Sequence, residues 1–115
     1  MTATLTTAYN RATAAPSVDM VREATNRLLT AISTVDPDDH RWDAVGPLVS
    51  TAAARLRKAI GRPVVDECVG APSIVRERDL STAAHGLLAR DVRVVNEHAA
   101  RQFLQLARDA TVAFS

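Results

Sequence analysis

Aromatic side chains make up only 3% of the 115 residues, so any core must be built mainly from Ala, Val, Leu and Ile, a palette that suits closely packed helices. One cysteine is present, Cys68, which excludes an intrachain disulfide. With four glycines in all, the chain has no Gly-rich phosphate loop, no nucleophile elbow and no Cys-x-x-Cys pair. An excess of one charge is also missing: Lys and Arg number 14 against 13 Asp and Glu, for a formal net charge of +1. That balance supplies no overall field to hold nucleic acid or an anionic membrane. No apolar run approaches the roughly 18 residues of a spanning helix. No charged leader with an apolar stretch and a small-residue cleavage site opens the chain, so a soluble, cytoplasmic protein is expected. Lysine is reduced to Lys58 while Arg and Ala abound, which reads as the GC-rich coding bias of a bacterial source.

What is present is helical periodicity. A hydrophobic fraction of 47% in 115 residues supports one domain, 1–115, able to bury roughly 60 to 70% of its unfolded surface. Residues 1–15, rich in Thr and Ala with Leu5 and Tyr9 four apart, read as a frayed helix or a disordered leader. Pro16 interrupts the chain and Ser17 is placed to cap the next helix. Val18, Val21, Leu28, Ile32 and Val35, completed by Ala24 and Thr25, form one stripe, with Glu23 and Arg27 paired on its outer face. A second helix carries Trp42, Val45, Leu48, Val49, Ala52, Leu56, Ala59 and Ile60. Asp43 is the expected cap, and Pro47 is tolerable only in a first turn. Arg55, Arg57 and Lys58 then oppose the helix dipole, Gly61 suits a left-handed residue and Pro63 forbids continuation, which predicts an end at residue 60 or 61.

Residues 62–78 read either as a helical turn between Pro63 and Gly70 or as a packed extended connector. From Asp79 a stripe runs through Leu80, Ala84, Leu88, Val92, Val95, Ala99, Phe103, Leu106, Ala110 and Ala113. As one helix it would be about 50 Å long at roughly 1.5 Å per residue, against about 27 Å for each earlier helix. A break near Gly86 or Asp91, packing of the N-terminal segment, or a dimer interface would each cover the excess.

The densest polar stretch is VDPDDHRWD, with four aspartates, His40 and the single tryptophan in residues 35–43. Asp36-Pro37 disfavours helix and Asp38 and Asp39 suit a turn, so the stretch reads as a connector rather than a ligand cluster. His40, His85 and His98 are the weak metal candidates. Neither His85 nor His98 has a carboxylate or second histidine three or four residues away, the spacing that puts two ligands on one helix face, and His40, with Asp36 and Asp43 at those offsets, lies in the connector. Acidic Asp66 and Glu67 beside Cys68 oppose thiolate formation. Arg90, Arg93 and Arg101, joined by Glu97, read as a self-paired solvated face, and nucleic acid is an unexpected partner.

The stretch LLTAISTVDPDDHRWDAVGPLVSTAAARLRKAI resembles the first-helix end, polar loop and second helix of hemerythrin-like cation-binding bundles, and VNEHAARQFLQLA resembles one of their Glu-His segments. The resemblance implies an antiparallel four-helix bundle, which in that family holds a di-iron site for oxygen binding or sensing. Where the second helix of that family carries His and Glu, this chain has Leu56, Ala59, Ile60 and Gly61, and its first helix has no histidine. The resemblance therefore extends to the fold and not to the iron.

The expectation is an all-α, small antiparallel bundle of three or four main helices ending in a long C-terminal helix, with no catalytic constellation and no cofactor. Its expected role is an interaction module, self-associating or binding a protein partner through that last helix by burying Val92, Val95, Phe103, Leu106 and Phe114. The alternative is a metal- or small-ligand-binding bundle using His85, His98 and His40, and a further possibility is an accessory subunit of a larger enzyme.

Overall fold

The structure is a computed structural model that describes residues 16–61 and 72–114, with side chains of the second stretch from Arg78 onward. Among these residues there are four α-helices and no strand: α1 Val18–Ser33, α2 Trp42–Ile60, α3 Pro72–His85 and α4 Glu97–Ala113, with a 3₁₀ turn at Gly86–Leu88 after α3. The all-α bundle expected from periodicity is what forms. The segments around Leu5 and Tyr9 and around Cys68 lie outside the described residues.

Helix α1 starts where Ser17, in an extended conformation, accepts the Met20 amide on its hydroxyl at 3.2 Å, filling one of the four donors a helix start leaves open. Val21, Thr25, Leu28 and Ile32 are buried, a spacing of four, three and four that keeps one face inward. The buried Thr25 hydroxyl donates to the Val21 carbonyl at 2.7 Å, so its burial leaves no polar group unsatisfied.

Helix α2 begins one residue before its expected cap. Asp43 lies within the first turn and caps nothing, since the residue before the helix is Arg41, which makes no side-chain cap bond. The preceding turn does that work through the backbone: Trp42 donates to the Asp39 carbonyl at 3.1 Å and Asp43 to that of His40 at 3.1 Å. The earlier start moves Pro47 into the second turn. Its missing N–H leaves the carbonyl of Asp43 without a helical donor, at a position where both residues are exposed to water. The far end follows the sequence reading: Gly61 adopts φ 67°, ψ 30° and its amide bonds the Arg57 carbonyl.

The final stripe is not one helix. Helix α3 starts at Pro72, before the expected start at Asp79, with proline at the position where its missing N–H costs nothing. After the turn at Gly86–Leu88 the chain leaves helical conformation until Asn96, whose side chain accepts the Ala99 amide at 3.0 Å and opens α4. The break near Gly86 is thus the arrangement that disposes of the excess length. It also shifts the phase. Leu80 is buried as the stripe requires, but Ala83 and Leu87 are buried in place of the stripe's Ala84 and Leu88, and Ala107 is buried while Ala113 is exposed.

Packing links α2 to α4 and α3, and α1 to the same two helices, so that α1 and α2 occupy diagonal corners although they follow each other in sequence. Val95 and Asn96, at the start of α4, bond the Ala59 carbonyl near the end of α2, whereas Phe114 at the end of α4 packs on Trp42 at the start of α2. Those two helices are therefore antiparallel. Arg22, early in α1, donates to the Leu87 carbonyl just past α3 at 2.9 and 3.2 Å, so α1 and α3 are also opposed. The end of α1 and the end of α4 meet at the Trp42 corner, so these two neighbours run in the same sense. The core between them is Val21, Leu28, Ile32, Trp42, Val49, Leu56, Leu80 and Phe103 with a lining of alanines. Ala side chains at Ala52, Ala53, Ala59, Ala99, Ala100, Ala107 and Ala110 allow helices to approach closely with few aromatics.

Candidate interaction surface

The polar loop 34–41 is a folded connector. The Asp36 carboxylate accepts the Asp38 amide at 2.9 Å, and the Asp36 carbonyl accepts the Asp39 amide at 2.9 Å and the Trp42 indole N–H at 3.2 Å. Asp39 takes the Arg41 amide at 2.9 Å and grips its guanidinium with Nη2 at 2.9 Å and Nε at 3.2 Å. The bond from that guanidinium, followed by the Arg41 backbone amide, pulls the Asp39 carboxyl down to about 2 and raises the Arg41 guanidinium. His40, 94% exposed at its side chain, stands 3.8 Å from the same carboxylate and faces water.

His85 ends α3 and His98 lies in the first turn of α4, both exposed. The three histidines come from separate parts of the bundle, and among the described residues no group of three His, Cys, Asp or Glu is gathered to hold an ion. Arg90 and Arg93 lie on the connector and not on α4, so the expected arginine face is not one face; within α4, Glu97 lies 3.9 Å from Arg101.

The residues expected at a partner interface divide. Phe103 is fully buried and Phe114 nearly so, both in the chain's own core, and Val92 and Leu106 pack half-buried against it. Val95 alone of the five is exposed. Phe103 and Phe114 thus fill the chain's own core, and Val95 is the member of the five that faces water.

A different apolar surface lies between α1 and α4. A groove is lined by Met20 and Ala24 of α1 and by Leu104, Ala107 and Val112 of α4, with Glu23, Arg27 and Arg108 at its edges. Met20 is 50% and Val112 66% exposed. Glu23 and Arg27 are ion-paired one helical turn apart. Ala24 and Ala107 are small and so leave space between the two helices. The sequence carries a signal for it: Met20 beside the core stripe of one helix, and Leu104, Ala107 and Thr111 beside that of the other, extend the apolar faces, although the adjacent Val21 and Phe103 mark the main stripes more strongly.

No family model, no curated protein sequence and no solved structure matches this chain. Among the described residues, no helix is long and apolar enough to cross a membrane.

Proposed function

We propose that the chain is a small helical interaction module that self-associates through the face formed by α1 and α4. The observation that carries this reading is the groove between the two helices, where Met20 and Val112 stay exposed on either side of an Ala24 and Ala107 floor. Small floor residues let another helix approach closely, and large apolar side chains beside them are the usual anchors of a contact.

The second copy is favoured as occupant by the signs of the charges at the edges. Glu23 belongs to α1 and Arg108 to α4. Because α1 and α4 run in the same sense, a two-fold axis along the groove lays α1 of one copy over α4 of the other. Each Arg108 then faces the partner's Glu23–Arg27 ion pair, on which it can share the Glu23 carboxylate, and the contact occurs twice, as an isologous interface requires. With Met20 and Val112 as the large exposed apolar side chains of this face, the reading is of a weak, concentration-dependent dimer.

Sedimentation velocity over a wide concentration range tests it. The expected result is a monomer–dimer equilibrium that Val112→Asp shifts to monomer without lowering the melting temperature, since Val112 contributes little to the core. A parent chain that stays strictly monomeric at its highest workable concentration, with a sharply two-state melt, overturns the reading.

A further inference from the structure

Helix α1 also borders a second hollow, which shares no lining residue with the α1–α4 groove. It is a cleft of about 330 Å³ between α1 and the end of α3, a volume at the small end of ligand pockets. Four polar side chains meet there in two pairs. Arg22 and Asn26 stand one helical turn apart on α1, and Ser81 and His85 one turn apart on α3, the spacing that puts both members of a pair on one helix face. Leu29 and Leu88 supply apolar wall, and Leu88 is left 79% exposed.

The fold uses these polar groups unequally. Arg22 is anchored, with Nε and Nη2 donating to the Leu87 carbonyl at 3.2 and 2.9 Å and Nη1 3.5 Å from the Asp19 carboxylate. The Asp19 side chain is 92% exposed, so water screens its attraction for the guanidinium. The side chains of Asn26, Ser81 and His85 engage no hydrogen-bond partner among the described residues. All three can donate, the imidazole because it carries an N–H in either protonation state. Among the described residues no carboxylate lines the cleft.

We propose that this cleft binds a small carboxylic acid with a short apolar tail. The carboxylate meets the Arg22 N–H groups that the Leu87 carbonyl leaves over, with Asn26, Ser81 and His85 donating to its oxygens, and the tail covers Leu29 and Leu88. Hydrogen bonds from an ionised donor to a carboxylate are the strong ones, and the Leu87 bonds fix the guanidinium before the acid arrives, which lowers the entropy lost on binding. One positive charge matches one carboxylate. Inorganic phosphate would leave the leucines uncovered.

The test is a titration of the full, isotopically labelled chain with hexanoate, followed through its amide NMR shifts, beside parallel titrations with hexanol and inorganic phosphate. Hexanoate is expected to shift the amides of α1 and of residues 81–88 saturably, with a dissociation constant on the order of 1 mM for so small a molecule. Arg22→Gln is expected to weaken binding roughly tenfold. Because Arg22 also ties α1 to Leu87, a second variant joins Ser81→Ala with His85→Ala, removing two donors that the fold does not use. It is expected to weaken binding several-fold with the melting temperature little changed. Hexanol or phosphate binding as tightly as hexanoate overturns the assigned chemistry. Shifts confined to the α1–α4 groove overturn the location, and a failure to saturate at tens of millimolar overturns the site. These readouts are independent of self-association, so a strictly monomeric chain bears on the dimer reading alone.

Discussion

Gly61 stands directly against Val95: a Cβ built on Gly61 would lie 3.0 Å from Val95 Cγ2, and the glycine holds φ +67°. The same neighbourhood brings the Val95 and Asn96 amides onto the Ala59 carbonyl at 2.8 and 3.1 Å. The end of α2 and the start of α4 thus terminate each other. Gly61→Ala carries two costs, a left-handed backbone of about 1–2 kcal/mol for a residue with a Cβ and the displacement of Val95. The expected outcome is a destabilisation of about 2 kcal/mol in urea unfolding, larger than a glycine at an open helix end would show.

Phe103 is the largest fully buried side chain among the described residues. Phe103→Ala is expected to destabilise by about 3–5 kcal/mol, the range for emptying an aromatic site in a core that relaxes only partly. Val95→Ala, at a residue 56% exposed, is expected to change stability far less. Thermal melts of the two variants side by side check whether α4 is bound into its own chain by Phe103, as the packing requires.

The Gln102 side-chain oxygen is buried without a hydrogen-bond partner among the described residues. A buried acceptor left unsatisfied costs about 1–3 kcal/mol, so Gln102→Met, similar in volume and without the amide, is expected to raise the melting temperature. An unchanged or lower value would show that the amide finds a partner in solution.

The Asp39–Arg41 grip has a pH signature. The Asp39 carboxyl is held at about 2 against an ordinary 3.8, so the folded form favours the carboxylate and its contribution is complete above the ordinary value. It is lost as pH falls through about 2, when the folded carboxyl takes up its proton. Trp42 emission is expected to begin shifting between pH 4 and pH 2 as the turn beside it loosens. Asp39→Asn abolishes that phase and leaves the emission of the variant nearly independent of pH across the window.

Two caps are separable from everything else. Ser17 and Asn96 each accept an amide three residues ahead, at 3.2 and 3.0 Å. Ser17→Ala and Asn96→Ala are each expected to cost about 1 kcal/mol, and to add in the double variant because the caps belong to different helices. Chemical denaturation of the singles and the double measures both statements.

By itself the sequence determined the helices whose punctuation and apolar spacing agree. Helix α1 follows from Ser17 and a stripe with a single phase, and the end of α2 follows from Gly61 before Pro63, because both are decided within one or two turns of chain. The all-α class follows from the same spacing and from an alanine-rich, aromatic-poor core. The second half was less legible because its apolar residues come in adjacent pairs, Leu87 with Leu88 and Val94 with Val95, and a pair supports two helical phases at once. Only packing chose between them: burial of Leu80, Ala83 and Leu87 set the phase of α3, and the Ala59 carbonyl drew the Val95 and Asn96 amides out of helix. The tertiary structure likewise decided that Phe103 and Phe114 face inward, which moved the candidate surface from the expected stripe of α4 to its edge against α1. It also set Phe114 upon Trp42, more than seventy residues away in the chain. Local spacing cannot specify a contact of that kind, because it depends on the mutual orientation of helices that only the assembled core fixes.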